Sequence, residues 1–273
     1  MLEQEEENDD AMLILISPAK TLDFSPQPAH AATKPQFLTQ ANRLAKHAQS
    51  LTPAKLGRLM SISPKLAETA HDYFAAWKAK YDAKGTKEAV FAFRGDVYIG
   101  LDADTLSPAD LQFAQEHLRI LSGLYGVLRP LDLIQPYRLE MSIRLAGDYG
   151  KDLYAHWGDT VAKSLAKETK QAGEGVIVNL ASQDYFAVAD RPTLKGRVIT
   201  PAFREKHNDK FSVISFFAKK ARGMMARHLI ESQADSPAAI LKFRAGGYRF
   251  NAELSTEDEP VFTRDKPPAQ GVA

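Results

Sequence analysis

The chain has 273 residues, 44% of them apolar and 25% charged, with no cysteine and a net charge of +1. That length suits one elaborated domain with a core large enough to stand without covalent staples. The missing cysteines exclude disulfides, thiolate nucleophiles and zinc–thiolate sites, and they suit a reducing compartment.

The first ten residues, "MLEQEEENDD", hold six acids and no base. A secretory signal begins with positive charge, so this is no signal peptide. Residues 1–11 are expected to form a disordered acidic extension, since such a block repels itself and buries nothing. Without those six acids, 35 basic residues face 28 acidic ones, a balance of +7. Between positions 191 and 228 there are ten Lys/Arg against Glu205 and Asp209 alone. A local basic concentration of this kind points to an anionic partner, or else to a solvated surface. No apolar run approaches the roughly 20 residues of a membrane helix, so no membrane partner is expected.

In chain order, "MLILIS" (12–17) is a short apolar run stopped by Pro18, and predicts a buried strand. Helical patterns follow over 35–50, 52–60 and 63–81, the latter two opening on Ser/Thr caps with proline at the first helical position. "EAVFAFRGDVYIGLD" alternates and predicts a strand with a turn. "SPADLQFAQEHLRILSGLYG" predicts a capped helix that ends at glycine. Residues 151–169 predict one helix, and "GVIVNLAS" a second buried strand. "GRVITPAF" and "FSVISFFA", separated by "REKHNDK", predict an antiparallel hairpin, and "KKARGMMARHLIE" a helix. The sum is a mixed α/β (α+β) domain over 12–264, a mixed sheet with surrounding helices, too irregular for a doubly wound sheet. Residues 265–273 are expected to be a disordered tail.

Four constellations carry candidate chemistry. In "RILSGLYGVLRPLDLIQPYRLEM" a helix ending near Gly123, then Gly126, then a second helix from Arg129 or Pro130 would make a helix–hairpin–helix over about 108–135. Glycines there permit positive φ and let amides approach a phosphate, with Arg129 and Arg138 completing the site; a plain packing turn is the alternative. In "FFAKKARGMMARHLIE" helical spacing puts Ala218, Ala221, Met225 and Leu229 on one side and Lys219, Lys220, Arg222 and Arg227 on the other. No acid lies between 219 and 228 to form the usual i,i+4 pairs, which favours an anion. In "ISPAKT", Ser17 and Lys20 have a Ser-x-x-Lys spacing without its companion motifs. In "NLASQDYF", Asn179, Ser182 and Asp184 follow a buried strand, where α/β proteins place polar site residues. The seven histidines are scattered, so neither a metal nor another cofactor is expected.

Together "MLILISPAKTLDF", "LSGLYGVLRPLDLIQPYRLEM", "VNLASQDYF", "VITPAF", "SFFAKKARGMMAR", "GYRFN" and "EPVFTR" resemble the YaaA family of bacterial peroxide-stress proteins. The resemblance runs from Met12 to about Arg264. It implies a cytoplasmic protein made under hydrogen peroxide stress and associated with lowering unincorporated iron. It also implies binding of duplex or distorted DNA, without sequence preference, through a basic cleft holding a helix–hairpin–helix, here residues 111–133. The expected protein is a monomer whose DNA-binding set is Gly123, Gly126, Arg129, Arg138, Lys219, Lys220, Arg222 and Arg227. The alternative is an enzyme acting on a nucleotide or nucleobase, with Ser17, Lys20, Tyr137, Arg138, Glu140, Asn179, Ser182 and Asp184 lining its cleft.

Overall fold

A computed structural model of the protein describes residues 12–28, 30–80, 85–144, 149–170, 175–208 and 210–265. The acidic extension and nearly all of the expected tail lie outside these residues.

The chain opens with β1 (Leu13–Ile16), buried at every position, and β2 (Thr21–Leu22). Three helices follow: α1 (Leu38–Gln49), α2 (Pro53–Met60) and α3 (Pro64–Ala75). The Thr52 and Ser63 hydroxyls accept from the Lys55 and Leu66 amides, as their cap positions predict. The segment expected as a strand with a turn is instead β3 (Lys87–Glu88), α4 (Ala89–Ala92), β4 (Phe93–Arg94) and α5 (Asp96–Leu101). Then come α6 (Pro108–His117), β5 (Leu118–Ser122), β6 (Gly126–Leu128) and β7 (Leu133–Ile134). The expected helix over 151–169 is broken at Gly158 into α7 (Leu153–Trp157) and α8 (Thr160–Lys170). β8 (Val176–Asn179), α9 (Gln183–Phe186) and β9 (Arg197–Ile199) complete the first half of the architecture. The rest is β10 (Ala202–His207), β11 (Lys210–Ser212), α10 (Ser215–Glu231), α11 (Ala238–Leu241), β12 (Arg249–Phe250) and β13 (Val261–Asp265).

The central sheet has the order β6-β5-β1-β8-β9, with β5, β1, β8 and β9 parallel and β6 antiparallel at one edge. A second sheet, β11-β10-β13-β12, pairs β10 in parallel with β13 and antiparallel with β11. The mixed α/β class is therefore the one adopted. α10 touches β1 and α6 and packs most extensively on α5. That packing depends on Gly100 and Gly223, where a Cβ would overlap the Lys220 and Val97 carbonyl oxygens respectively. Among the described residues no helix is long and apolar enough to cross a membrane.

Two further expectations fail here. The run after α6 does not continue as a helix: residues 118–122 are a fully buried strand, paired in parallel with β1. Leu118, Ile120 and Leu121 are compatible with either element, and burial of all five residues, Arg119 and Ser122 included, goes with the strand. No second helix starts at Arg129 either; a turn over 129–132 leads into β7, so residues 108–135 are not a helix–hairpin–helix. A two-helix hairpin does exist earlier, where α2 and α3 are joined by three residues with Ser61 in the left-handed region. The other correction concerns "VITPAF": its first residues belong to β9 in the central sheet, and the antiparallel partner of β11 is β10.

Candidate functional site

The carboxyl ends of β1 and β8 lie side by side, because those strands are parallel neighbours. Side chains from three loops meet there. Ser17, just after β1, accepts through Oγ from the Ser182 amide at 2.9 Å, and its Oγ lies 3.4 Å from the Ser182 hydroxyl. Its carbonyl accepts from the Tyr98 hydroxyl of α5 at 3.1 Å. Lys20, from the same loop, pairs with Glu140 at 2.7 Å. Arg138 donates to the other oxygen of Glu140 at 3.3 Å. The Arg138 Nε is buried and has no hydrogen-bond partner.

Tyr185 of α9 ties these loops together. Its hydroxyl accepts from the Met141 amide, and burial, with Tyr137 and Glu140 nearby, holds its phenol protonated well above the usual range. Burial raises Tyr98 in the same direction. Tyr154 of α7 closes over the loop by donating to the Asp184 carbonyl at 2.8 Å. The cluster so formed offers two cations, one carboxylate and several neutral hydroxyls, a set that hydrogen-bonds and orients more readily than it attacks.

Of the cleft set expected from sequence, Ser17, Lys20, Arg138, Glu140 and Ser182 converge. Asp184 contributes its backbone at the rim. Tyr137 and Asn179 serve the fold instead: Tyr137 hydrogen-bonds Ser122 at 2.7 Å inside the core, and Asn179 accepts from the Ala181 amide and donates to Thr200. The sequence does not single out Tyr98, Tyr154 and Tyr185. Their polar heads project from mainly apolar runs, and only the packing shows where those heads point.

The expected DNA-binding set does not form one surface. Gly123 and Gly126 are buried. A Cβ on Gly123 would overlap the Leu139 carbonyl oxygen, and one on Gly126 (φ +72°) would sit 2.9 Å from the Trp157 ring. These glycines let the protein approach itself, so the expected phosphate-approaching hairpin is corrected to a packed one. Arg129 pairs with Asp132 at 3.2 Å in a cleft of about 420 Å³ that also holds Arg119 and Glu168. Arg227 pairs with Glu231 at 2.7 Å and also donates to the Leu101 and Asp102 carbonyls and to Thr105. It is a strut between α10 and α5, contrary to the unpaired cation expected.

Lys219, Lys220 and Arg222 differ. Among the described residues no carboxylate pairs with any of them. Burial shifts the Arg222 guanidinium down from its ordinary value, while Lys219 and Lys220 are exposed. Directly before them in the chain, Phe211 (39% exposed), Val213 (60%) and Phe216 (54%) stand out in solvent. The sequence gives no warning of these apolar residues either, because "KFSVISFFAKK" looks like ordinary strand and helix core. Among the described residues, no group of three His, Asp or Glu converges as a metal site.

A family profile described as "peroxide stress protein YaaA" matches residues 12–254. A UPF0246 protein of Shewanella halifaxensis is 49% identical over 255 residues, covering 93% of this chain and 99% of the relative. Similar proteins of Shewanella denitrificans and Shewanella loihica are 49% and 48% identical over 256 residues, at the same coverage. The match spans the central sheet, the polar cluster at its carboxyl edge and α10, and the chain belongs to the peroxide stress protein YaaA family.

Proposed function

We propose that this member of a peroxide-stress family binds DNA, without base preference, through the surface formed by β11 and the start of α10. One observation carries the reading: Phe211, Val213 and Phe216 are exposed in the stretch just before Lys219 and Lys220, exposed cations that no described carboxylate neutralises. Lysines that meet phosphates release counterions, and exposed aromatic rings stack on bases regardless of sequence. A solvated, purely colloidal surface has no use for three exposed large apolar side chains among its lysines. The lowering of unincorporated iron implied by the family has no ligand set behind it among the described residues, and the reading rests on DNA alone.

The test is fluorescence-anisotropy binding to duplex and single-stranded oligonucleotides across a salt series. Replacing Lys219 and Lys220 together by Ala is expected to lower the salt slope by about two units, roughly one for each phosphate no longer neutralised, equally for unrelated sequences. An unchanged slope would remove the surface from consideration. A second reading, an enzyme acting on a nucleotide or nucleobase, is favoured by the convergence of Ser17, Lys20, Arg138, Glu140 and Ser182 at the carboxyl edge of the parallel strands.

A further inference from the structure

The polar cluster at the carboxyl edge of β1 and β8 contains a carboxylate in an unusual position. Glu140 gives one oxygen to Lys20 and the other to Arg138, so a single acid spans two cations that come from different loops. Arg138 is 15% exposed and Glu140 23%, whereas Lys20 is 62% exposed and can swing away. The Nε of Arg138 is buried with no acceptor. A buried donor without a partner is costly, and it is retained where a ligand supplies the missing acceptor. A further donor is nearby: Ser17 accepts from the Ser182 amide and donates its own O–H to the Ser182 Oγ at 3.4 Å, which leaves the O–H of Ser182 to point elsewhere.

We infer that this polar cluster is a phosphoryl-binding site in which Glu140 stands in for the anionic ligand and must yield Arg138 to it. The inference deepens the nucleotide reading and is independent of the DNA surface. An arginine, a lysine and the Ser182 hydroxyl offer more donors than a lone carboxylate can use, and they match the three oxygens of a phosphate monoester. Phosphate binding to Arg138 also satisfies the Nε that Glu140 leaves empty. The half-buried ring of Tyr185, three residues from Ser182 and hydrogen-bonded to the residue after Glu140, borders the site and suits a ring attached to the phosphate. Such a ligand is a nucleoside monophosphate, free or at the end of a DNA strand.

The sign of one substitution separates this from a structural salt bridge. Glu140→Gln removes the competing charge while keeping the shape, so titration calorimetry of the full chain with inorganic phosphate and with a deoxynucleoside 5′-monophosphate should show tighter binding than the parent, by roughly three- to tenfold. Arg138→Gln should weaken both by about tenfold or more. Lys20→Met, at an exposed position, should weaken them by a few fold with the melting temperature retained. If Arg138→Gln fails to fold, the opposite signs of Glu140→Gln and Lys20→Met decide. Weaker or absent binding in Glu140→Gln, or parental affinity in Lys20→Met, overturns the proposal. The Lys219→Ala, Lys220→Ala double variant should bind the mononucleotide like the parent; if it does not, the phosphate belongs to the DNA surface and the cleft assignment falls. A 5′-phosphorylated oligonucleotide outcompeting its unphosphorylated form identifies a strand end as the source, and equal competition identifies the free nucleotide.

Discussion

β5–β6 and β10–β11 are both antiparallel hairpins, yet every residue of the first pair is buried, while β11 is exposed along its whole length. The first is joined by a glycine-bearing turn and followed by arginines, the combination that suggests phosphate contact. Its glycines nonetheless face the Leu139 backbone and the Trp157 ring, and Arg129 is held by Asp132. The second hairpin lacks glycine, but in register Lys206 lies opposite Phe211, so both side chains leave the same face, and Val213 follows two residues on. The opposite face carries Glu205, which is fully buried and points inward. A small residue marks where backbone comes close to something, and in a packed strand that something is the protein itself. The exposed Phe211 and Val213 side chains lie outside the buried core and have no such internal partner.

The largest expected effect lies in the buried hairpin. Gly126→Ala must hold a Cβ at φ +72° against the Trp157 ring, and Gly123→Ala must push back the backbone at Leu139. Each should cost roughly 2–4 kcal/mol in chemical denaturation, from left-handed strain or overpacking of a site that cannot give. The DNA affinity of the folded fraction should stay parental. A stable Gly126→Ala protein with weakened DNA binding would restore the hairpin as a phosphate site and break the contrast.

Next in size is the anchor of the exposed hairpin. Glu205 accepts from the Tyr248 hydroxyl and from the Ile214 amide just before α10, and Arg264 lies 3.5 Å away while its guanidinium covers the Tyr248 and Phe217 rings. Glu205→Gln keeps the shape but leaves Arg264 without its counter-charge in a desolvated place. The expected loss is about 1–3 kcal/mol. Because the same carboxylate fixes the start of α10, DNA affinity should fall along with stability. A variant that loses stability and keeps parental DNA binding would separate the surface from its support.

The sequence makes the periodic and capped parts of this fold legible. "MLILI" and "VIVN" are fully buried strands, and Thr52, Ser63 and Ser107 each cap a helix that begins with proline. It misleads at residues 118–122, because "LRILS" is too short to show a period of its own and reads as a continuation of the helix in front of it. Arg119 conceals the boundary further: its guanidinium turns back onto the Gln115, Glu116 and Leu118 carbonyls, closing the end of α6. Loop positions after buried strands single out Ser17 and Ser182 in the sequence, and strand order brings those two ends together. That Glu140 bridges Lys20 and Arg138 across 120 residues of chain is not legible, because pairing partners are set by tertiary packing rather than by spacing.

The smallest effect on the fold, and the sharpest on the comparison, is expected at Phe211. Its ring is 39% exposed at the edge strand of the second sheet, and it is absent from the buried core. Phe211→Ala should therefore change stability by no more than about 0.5 kcal/mol, the range of surface substitutions. If the ring stacks on bases, affinity for single-stranded DNA should drop by about 1–3 kcal/mol, while duplex, whose bases are already stacked, loses less. The salt slope should not move, because no charge is removed. Lys219→Ala, Lys220→Ala should do the reverse, lowering the slope for duplex and single strand alike. The two variants thus divide the surface into a stacking part and a phosphate part. Equal losses on duplex and single strand from Phe211→Ala would mean that the ring only shapes the surface, and that the lysines alone hold the DNA.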